Sequence, residues 1–256
     1  MNNYTRPLWR IRREKPLVHC ISNIVTANDC ANLLLAVGAS PMMAQAETEM
    51  ADIAAISSAA VLNLGTPDER RFELCALRGL LANQNGHPVI LDPVGAGASG
   101  WRLEGAQRAL ASFAPSIVRV NLSEARALLG ETGRERGVDS AAGGSNDERA
   151  ACAEALARKL RATVLLSGEA DFVSDGVRSK CIEGGSAMTA MVTGSGCMLS
   201  ALCGAFASVE PDAFAAAASA SEFWKACASQ AEKNACGRGP GSFRSALIDA
   251  AYALSI

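Results

Sequence analysis

GGSAMTAMVTGSGCMLSALCGAFASV, residues 184–209, contains no charged side chain. A run of that length is long enough to span a bilayer, which takes about 20 apolar residues. The stretch therefore decides between a membrane protein and a fold with a deeply buried core. Gly184, Gly185, Gly194, Gly196 and Gly204 puncture it, and Ser186, Thr189, Thr193, Ser195 and Ser200 add polarity. Gly194-Ser195-Gly196 would break a spanning helix in its middle. The expected structure is a buried strand, a glycine turn and a buried helix over 197–209.

Working outward, short apolar runs alternate with helical patterns. Candidate strands lie at 16–21 (PLVHCI), 59–64 (AAVLNL), 88–91, 117–120 and 163–167. Helical patterns cover 27–37, with Thr26 as its N-cap and Gly38 as its stop, then a charged stretch to about residue 85, 101–114 and a short helix ending at Leu129. Residues 148–161 form a charged amphipathic helix, and further helices cover about 212–233 and 242–254. Asp175-Gly176 between 172–174 and 177–182 is a hairpin signal. Residues 131–147 are polar and glycine-rich and read as a surface loop. Near-continuous apolar strands alternating with helices predict an α/β protein with a mostly parallel sheet covered on both faces. No repeat, linker or compositional break appears, so residues 1–256 read as a single domain.

Composition narrows the function. The 256 residues carry 24 Lys and Arg against 26 Asp and Glu, a net charge of −2. That balance argues against a nucleic-acid or anionic-membrane binder. Two histidines, His19 and His87, exclude mechanisms that need many. The nine cysteines have no C-x-x-C spacing and neither histidine complements a pair, so structural zinc is not expected. Scattered in apolar segments, they read as small buried hydrophobes of a reducing cytosol. The basic N-terminus lacks an apolar signal core, so secretion is not indicated.

In parallel sheets, ligands bind beyond the carboxyl ends of the strands. The residues there are Asn23, Asn63, Asp92, Arg119, Asn121, Glu124 and Ser167. Val192-Thr193-Gly194-Ser195-Gly196-Cys197 opens a helix, where unpaired N–H groups favour an anion and stabilise a thiolate at Cys197. Residues 95–100 match G-x-G-x-x-G, but mid-chain, after Pro93 and without a suitably spaced acid. A dinucleotide site is therefore rejected. Asp92 suits a water-mediated magnesium contact. Asn121 and Glu124 read first as a helix cap, with magnesium binding beside Asp92 as the functional alternative. Arg119 is either a solvated strand end or a phosphate ligand. His19 and Cys20 point to opposite strand faces, which removes a Cys-His pair and leaves His19 structural.

The segments Pro16-Leu17-Val18-His19-Cys20-Ile21-Ser22-Asn23, Gly38-Ala39-Ser40-Pro41-Met42-Met43-Ala44, Val61-Leu62-Asn63-Leu64-Gly65-Thr66, Leu91-Asp92-Pro93-Val94-Gly95-Ala96-Gly97-Ala98, Ser167-Gly168-Glu169-Ala170-Asp171, the Gly194–Cys197 turn and Gly239-Pro240-Gly241-Ser242-Phe243 together resemble the hydroxyethylthiazole kinase family of thiamine salvage, within the ribokinase-like kinases. The resemblance implies a three-layer α/β/α ribokinase-like fold. It implies ATP- and Mg²⁺-dependent phosphorylation of 4-methyl-5-(2-hydroxyethyl)thiazole in the cytoplasm. Carried over by position, Met43 and Gly194 contact the thiazole, with Asn23 nearby. Arg119, Ser167 and Asn121 serve ATP, and Asp92 and Glu124 lie by magnesium. Gly194, Ser195 and Gly196 form the anion hole, and Cys197 faces the substrate hydroxyl. A homotrimer with the thiazole site at a subunit interface is implied as well. Val120 stands where the family usually has glycine, Ser167 where it commonly has Thr, and Ser195 where it has Thr or Ala. Alternatives are a related kinase acting on another small alcohol, such as a hydroxymethylpyrimidine, a dinucleotide oxidoreductase, and a non-catalytic nucleotide-binding module.

Overall fold

The computed structural model describes residues 2–131 and 144–256. In chain order the elements are α1 (Thr5–Glu14), β1 (Leu17–Ile21), α2 (Ala27–Ala36), β2 (Ser40–Met42), α3 (Met50–Ile56), β3 (Ala59–Asn63), α4 (Glu69–Gln84), β4 (Val89–Asp92) and α5 (Gly100–Ser112). They continue with β5 (Ile117–Val120), α6 (Leu122–Leu129), α7 (Asn146–Leu160), β6 (Thr163–Leu166), β7 (Asp171–Ser174), β8 (Ser179–Ile182), α8 (Ser195–Ala207), α9 (Ala213–Ala235) and α10 (Pro240–Ser255). The strands form one sheet in the order β2-β1-β3-β4-β5-β6-β7-β8. The first six run parallel, and β7 and β8 add an antiparallel hairpin at one edge.

The apolar runs explain the layering. Side chains alternate across a strand, so each run feeds two cores. Val18, Cys20, Val61, Ile90 and Ile117 join the core built with α2, α8, α9 and α10. Their neighbours Ile21, Ala60, Leu62, Leu91, Val118 and Val120 join the core built with α4, α5, α6 and α7. This is the expected α/β/α arrangement. Val120, the departure from the family glycine, is a fully buried β5 residue in register with Leu166. The strand path there is regular.

The stretch 184–209 resolves differently from the expectation at its first half. No strand forms there. Gly184 and Gly185 both take positive φ (99° and 89°), which ends the extended chain after β8. A 3-10 turn, Ala187–Met191, follows, and it buries none of its residues. The glycine turn and helix are as expected, with α8 buried at every position from Met198 to Ala207. At Gly204 a β-carbon would lie 2.5 Å from Val61 Cγ2, so the missing side chain lets α8 press onto β3. Among the described residues no helix is long and apolar enough to cross a membrane.

Several other expectations need correcting. Thr26 occupies the position before α2 but makes no side-chain cap bond; its backbone is near-helical rather than extended. Asn23 Oδ1 does that work, accepting from the N–H groups of Val25 (3.0 Å) and Thr26 (3.1 Å). Residues 132–143 of the expected loop lie outside the described residues. Asn146 and Asp147 belong to α7, because Ser145 and Glu148 form a reciprocal capping box before them. Val177 lies in the hairpin turn, and β8 begins at Ser179. Six of the nine cysteines are buried, but Cys181 and Cys236 are exposed. Cys181 sits on the edge strand β8, and Cys236 follows the last turn of α9 in a left-handed conformation. α1, β2 and α3 had no sequence forecast.

Candidate active site

The strand order reverses its direction of travel between β1 and β3, since β2 lies outside β1 and the later strands follow on the other side. Such a switch point opens a crevice at the carboxyl ends of the strands. Asn23 follows β1 and Asn63 ends β3, so the two face each other across it. Asn23 Nδ2 donates to Asn63 Oδ1 at 3.0 Å, and Asn63 Nδ2 donates to Asp92 Oδ2 at 2.8 Å. Asp92 ends β4. Ser200 on α8 donates its hydroxyl to the same oxygen at 2.8 Å. Among the described residues Asp92 Oδ1 has no hydrogen-bond partner although the residue is 0% exposed; Arg119 Nη1 pairs with it at 3.5 Å.

Arg119 leaves β5 but is not a solvated end: its side chain is 12% exposed. It donates to Ser167 Oγ beyond β6. Its guanidinium also covers Gly196, where a β-carbon would sit 2.4 Å from Nη2. Gly196 therefore lets the cation lie against the first turn of α8. The glycine loop after β4 serves the neighbouring helix. Glu124 Oε1 accepts from Gly95 N–H and Oε2 from Asn121 N–H, both at 2.9 Å, while Asn121 Oδ1 accepts from Glu124 N–H at 2.8 Å. A β-carbon at Gly97 would meet Ser123 Oγ at 2.6 Å. These glycines pack a loop onto α6 rather than cradling a dinucleotide. The capping reading of Asn121 and Glu124 thus holds, and both stand beside Asp92 at one sheet edge. Burial pushes the Glu124 carboxyl up; Arg119 opposes the shift and Asp92 adds to it.

Cys197 lies in the first turn of α8 beneath the two asparagines. Asn63 Nδ2 approaches Sγ at 3.2 Å and Asn23 Nδ2 at 3.4 Å, so the sulfur is an acceptor. The expected thiolate stabilisation is overturned. Burial, reinforced by the Asp92 charge, pushes the thiol up to about 11. Cys197 is a neutral thiol at pH 7 and not a resident base. Gly194 takes φ +83°, and a β-carbon there would lie 2.3 Å from Thr26 Cγ2. The N–H groups of Gly196 and Cys197 have no partner among the described residues, which leaves two donors at the positive end of α8.

One network thus joins Asn23, Asp92, Arg119, Ser167 and Cys197, with Asn121 and Glu124 tied to it through the Gly95 loop. Met43 is not hydrogen-bonded to it by its side chain; it follows β2 at the same sheet edge, half-buried. Ser200 is the residue of this network that strand-end positions do not mark, whereas Asn63 is one of those positions. Asn63 was visible as a polar end to a buried run, and Ser200 lies one turn beyond Cys197.

Residues 8–256 match the hydroxyethylthiazole kinase family. The chain belongs to that family. It is 43% identical over 253 residues to the hydroxyethylthiazole kinase of Clostridium botulinum (strain Eklund 17B / Type B), covering 98% of this chain and 91% of that one. It is 41% identical to the hydroxyethylthiazole kinase of Listeria monocytogenes serotype 4a (strain HCC23), covering 97% and 92%. The structure of hydroxyethylthiazole kinase from Pyrococcus horikoshii OT3 superposes with a TM-score of 0.88 at 36% identity, over 98% of this chain and 92% of that one. A Bacillus subtilis pyridoxal kinase in an ADP complex shares the fold at 16% identity, with a TM-score of 0.65 over 84% and 91%.

His19 is the structural histidine expected, with both ring nitrogens engaged (Arg78 Nε to Nδ1, 2.8 Å; Nε2 to Ala44 O, 2.9 Å). Burial lowers its pKa to about 4; the Ala44 carbonyl and Glu49 pull up and Arg78 pulls down. Between pH 4 and the unfolded value near 6.5, the unfolded chain binds a proton that the native state refuses. Stability on this account is full above about pH 6.5 and falls as the pH drops toward 4. The melting temperature of the native chain should fall more between pH 7 and 5 than that of a His19→Gln variant. Equal losses in differential scanning calorimetry would remove His19 as the cause.

Proposed function

We propose that this site transfers the terminal phosphoryl group of ATP to the hydroxyl of 4-methyl-5-(2-hydroxyethyl)thiazole. The observation that carries the reading is the convergence of Asp92, Arg119, Ser167 and the open N-terminus of α8 on one crevice of a chain from this kinase family. The alcohol oxygen bonds to the γ-phosphorus while the bond to the ADP oxygen breaks, and the hydroxyl proton passes to solvent. Positioning and charge supply most of such a rate enhancement, so no strong base is required. That suits a crevice whose thiol stays protonated. The free N–H groups of Gly196 and Cys197 and the Arg119 guanidinium would hold the transferring group. Ser167 would orient Arg119 and contact ATP beside Asn121. Asn23, Met43 and Gly194 would bind the thiazole, with Cys197 placing its hydroxyl.

Magnesium fits the residues present. The buried, unpartnered Asp92 Oδ1 and the buried Glu124 set two carboxylates against one guanidinium. Asp92 and Glu124 would hold the ion through its water shell, and a bound ion would neutralise charge on the ATP phosphates. Ile24, Val25 and Met191 are exposed apolar side chains close in sequence to Asn23 and Gly194. They supply a surface for a second copy, in keeping with a trimer that closes the thiazole site. All eight strands lying in one sheet supports a single kinase domain over 1–256.

A coupled assay of ADP formation with and without the thiazole alcohol tests the reading. Thiazole-dependent ADP release is expected, and none in an ATP-binding preparation would sink it. In the same assay Cys197→Ala should lower kcat by about tenfold or more with an unchanged melting temperature. An unaltered kcat would take Cys197 out of the mechanism.

A further inference from the structure

Arg78 is the largest of the fully buried side chains, at 0% exposure, and no carboxylate pairs with it among the described residues. A buried guanidinium without an anion is costly to keep. Its bonds show what it does. Nη2 donates to Ser57 Oγ and Nε donates to His19 Nδ1. Burial draws its pKa down only to about 10, so it stays charged near neutrality. An arginine can only donate. His19 Nδ1 must therefore accept, the ring proton must sit on Nε2, and Nε2 must donate to Ala44 O. The orientation of a carbonyl next to Met43 is thus set from α4, through β1, by a cation that never reaches the crevice.

The segment so held is short and irregular. It runs from the end of β2 at Met42 to the 3-10 turn at Glu47–Glu49. Arg71, two helical turns before Arg78, braces it as well, donating to Gln45 Oε1 at 3.4 Å and to the Ser22 carbonyl at 2.7 Å. We infer that the Arg78–His19–Ala44 relay fixes the Met43 backbone and so sets the affinity of the site for its alcohol substrate, independently of ATP. The substrate side of this inference rests on the proposed thiazole kinase reading. Arg78 and His19 are positioning residues.

His19→Asn separates the relay from the fold. Its amide oxygen can take the place of Nδ1 and keep the bond from Arg78 Nε, but the shorter side chain cannot reach Ala44. The expected result is a KM for the thiazole alcohol raised about tenfold, with the KM for ATP within about twofold of native. Hydrogen exchange at the amides of residues 43–46 should also quicken. His19→Gln carries an acceptor and a donor on one amide and should return the thiazole KM to within about threefold of native. Both KM values unchanged or equally raised in His19→Asn, or unaltered exchange at 43–46, would overturn the relay. If the native chain shows no thiazole-dependent ADP release, the kinase reading fails. The exchange comparison then decides the relay without it.

Discussion

Asp92→Asn is expected to lower kcat by about a thousandfold or more while the chain stays folded. The substitution is isosteric and keeps an oxygen for Asn63 and Ser200, which both donate to Oδ2. It replaces Oδ1 by an NH₂ group that faces the Arg119 guanidinium, donor against donor. Arg119 then loses the carboxylate that pairs with it at 3.5 Å. The crevice also loses the one buried carboxylate oxygen that lacks a hydrogen-bond partner among the described residues. Steady-state kinetics should show the loss in kcat, with a raised KM for Mg²⁺–ATP. Circular dichroism should match the native chain, with the melting temperature lowered because Arg119 is left buried without its carboxylate. A fall of less than tenfold would place the reacting atoms away from Asp92.

Gly194→Ala should damage both activity and stability. A left-handed backbone costs a residue bearing a β-carbon about 1–2 kcal/mol. The added methyl would also lie 2.3 Å from Thr26 Cγ2 and 2.9 Å from its Cβ. The turn must shift, and it carries Cys197 and the free N–H groups of α8 with it. A displacement near 1 Å at such a site is enough for about a hundredfold loss of kcat/KM, and the melting temperature should drop by roughly 5 °C. Gly241→Ala is the control, because a β-carbon there meets nothing within 4 Å and the backbone is not left-handed. It should leave kcat/KM and melting temperature alone. Native behaviour in Gly194→Ala would show that the turn does not set the site.

The chain made its strands legible because buried parallel strands are written as unbroken apolar runs. β5 at Ile117–Val120 coincides with its forecast, and β1, β3, β4 and β6 differ only at their ends. β2, Ser40–Met42, carries a proline in three residues, and no single run marks it as a strand. The failure at 184–191 has a related cause. Absence of charge does not mean burial there: two left-handed glycines and a 3-10 turn hold that segment at the surface.

In the site, Asp92 and Asn121 could be singled out because strand ends are where ligands sit. What no local pattern shows is partnership. The Cys197 thiol depends on Asp92 and on burial, not only on the helix end that the sequence reveals. Ser200 matters through a bond to a residue 108 positions away. The Arg78–His19 contact joins a helix to a strand 59 positions earlier, and each alone reads as bland.

The buried α8 has a consequence for how this enzyme can change over generations. Its first turn carries the open N–H groups of the proposed phosphoryl site, and its remaining length is buried from Met198 to Ala207 and pressed onto Val61 at Gly204. Variation there is removed as misfolding before it can be tested as chemistry. Across the crevice, the Met43 segment is irregular and half-buried, so side chains there can be exchanged without reopening the core. Divergence toward new alcohols should accumulate at residues 42–46, while the Gly194–Cys197 turn stays fixed.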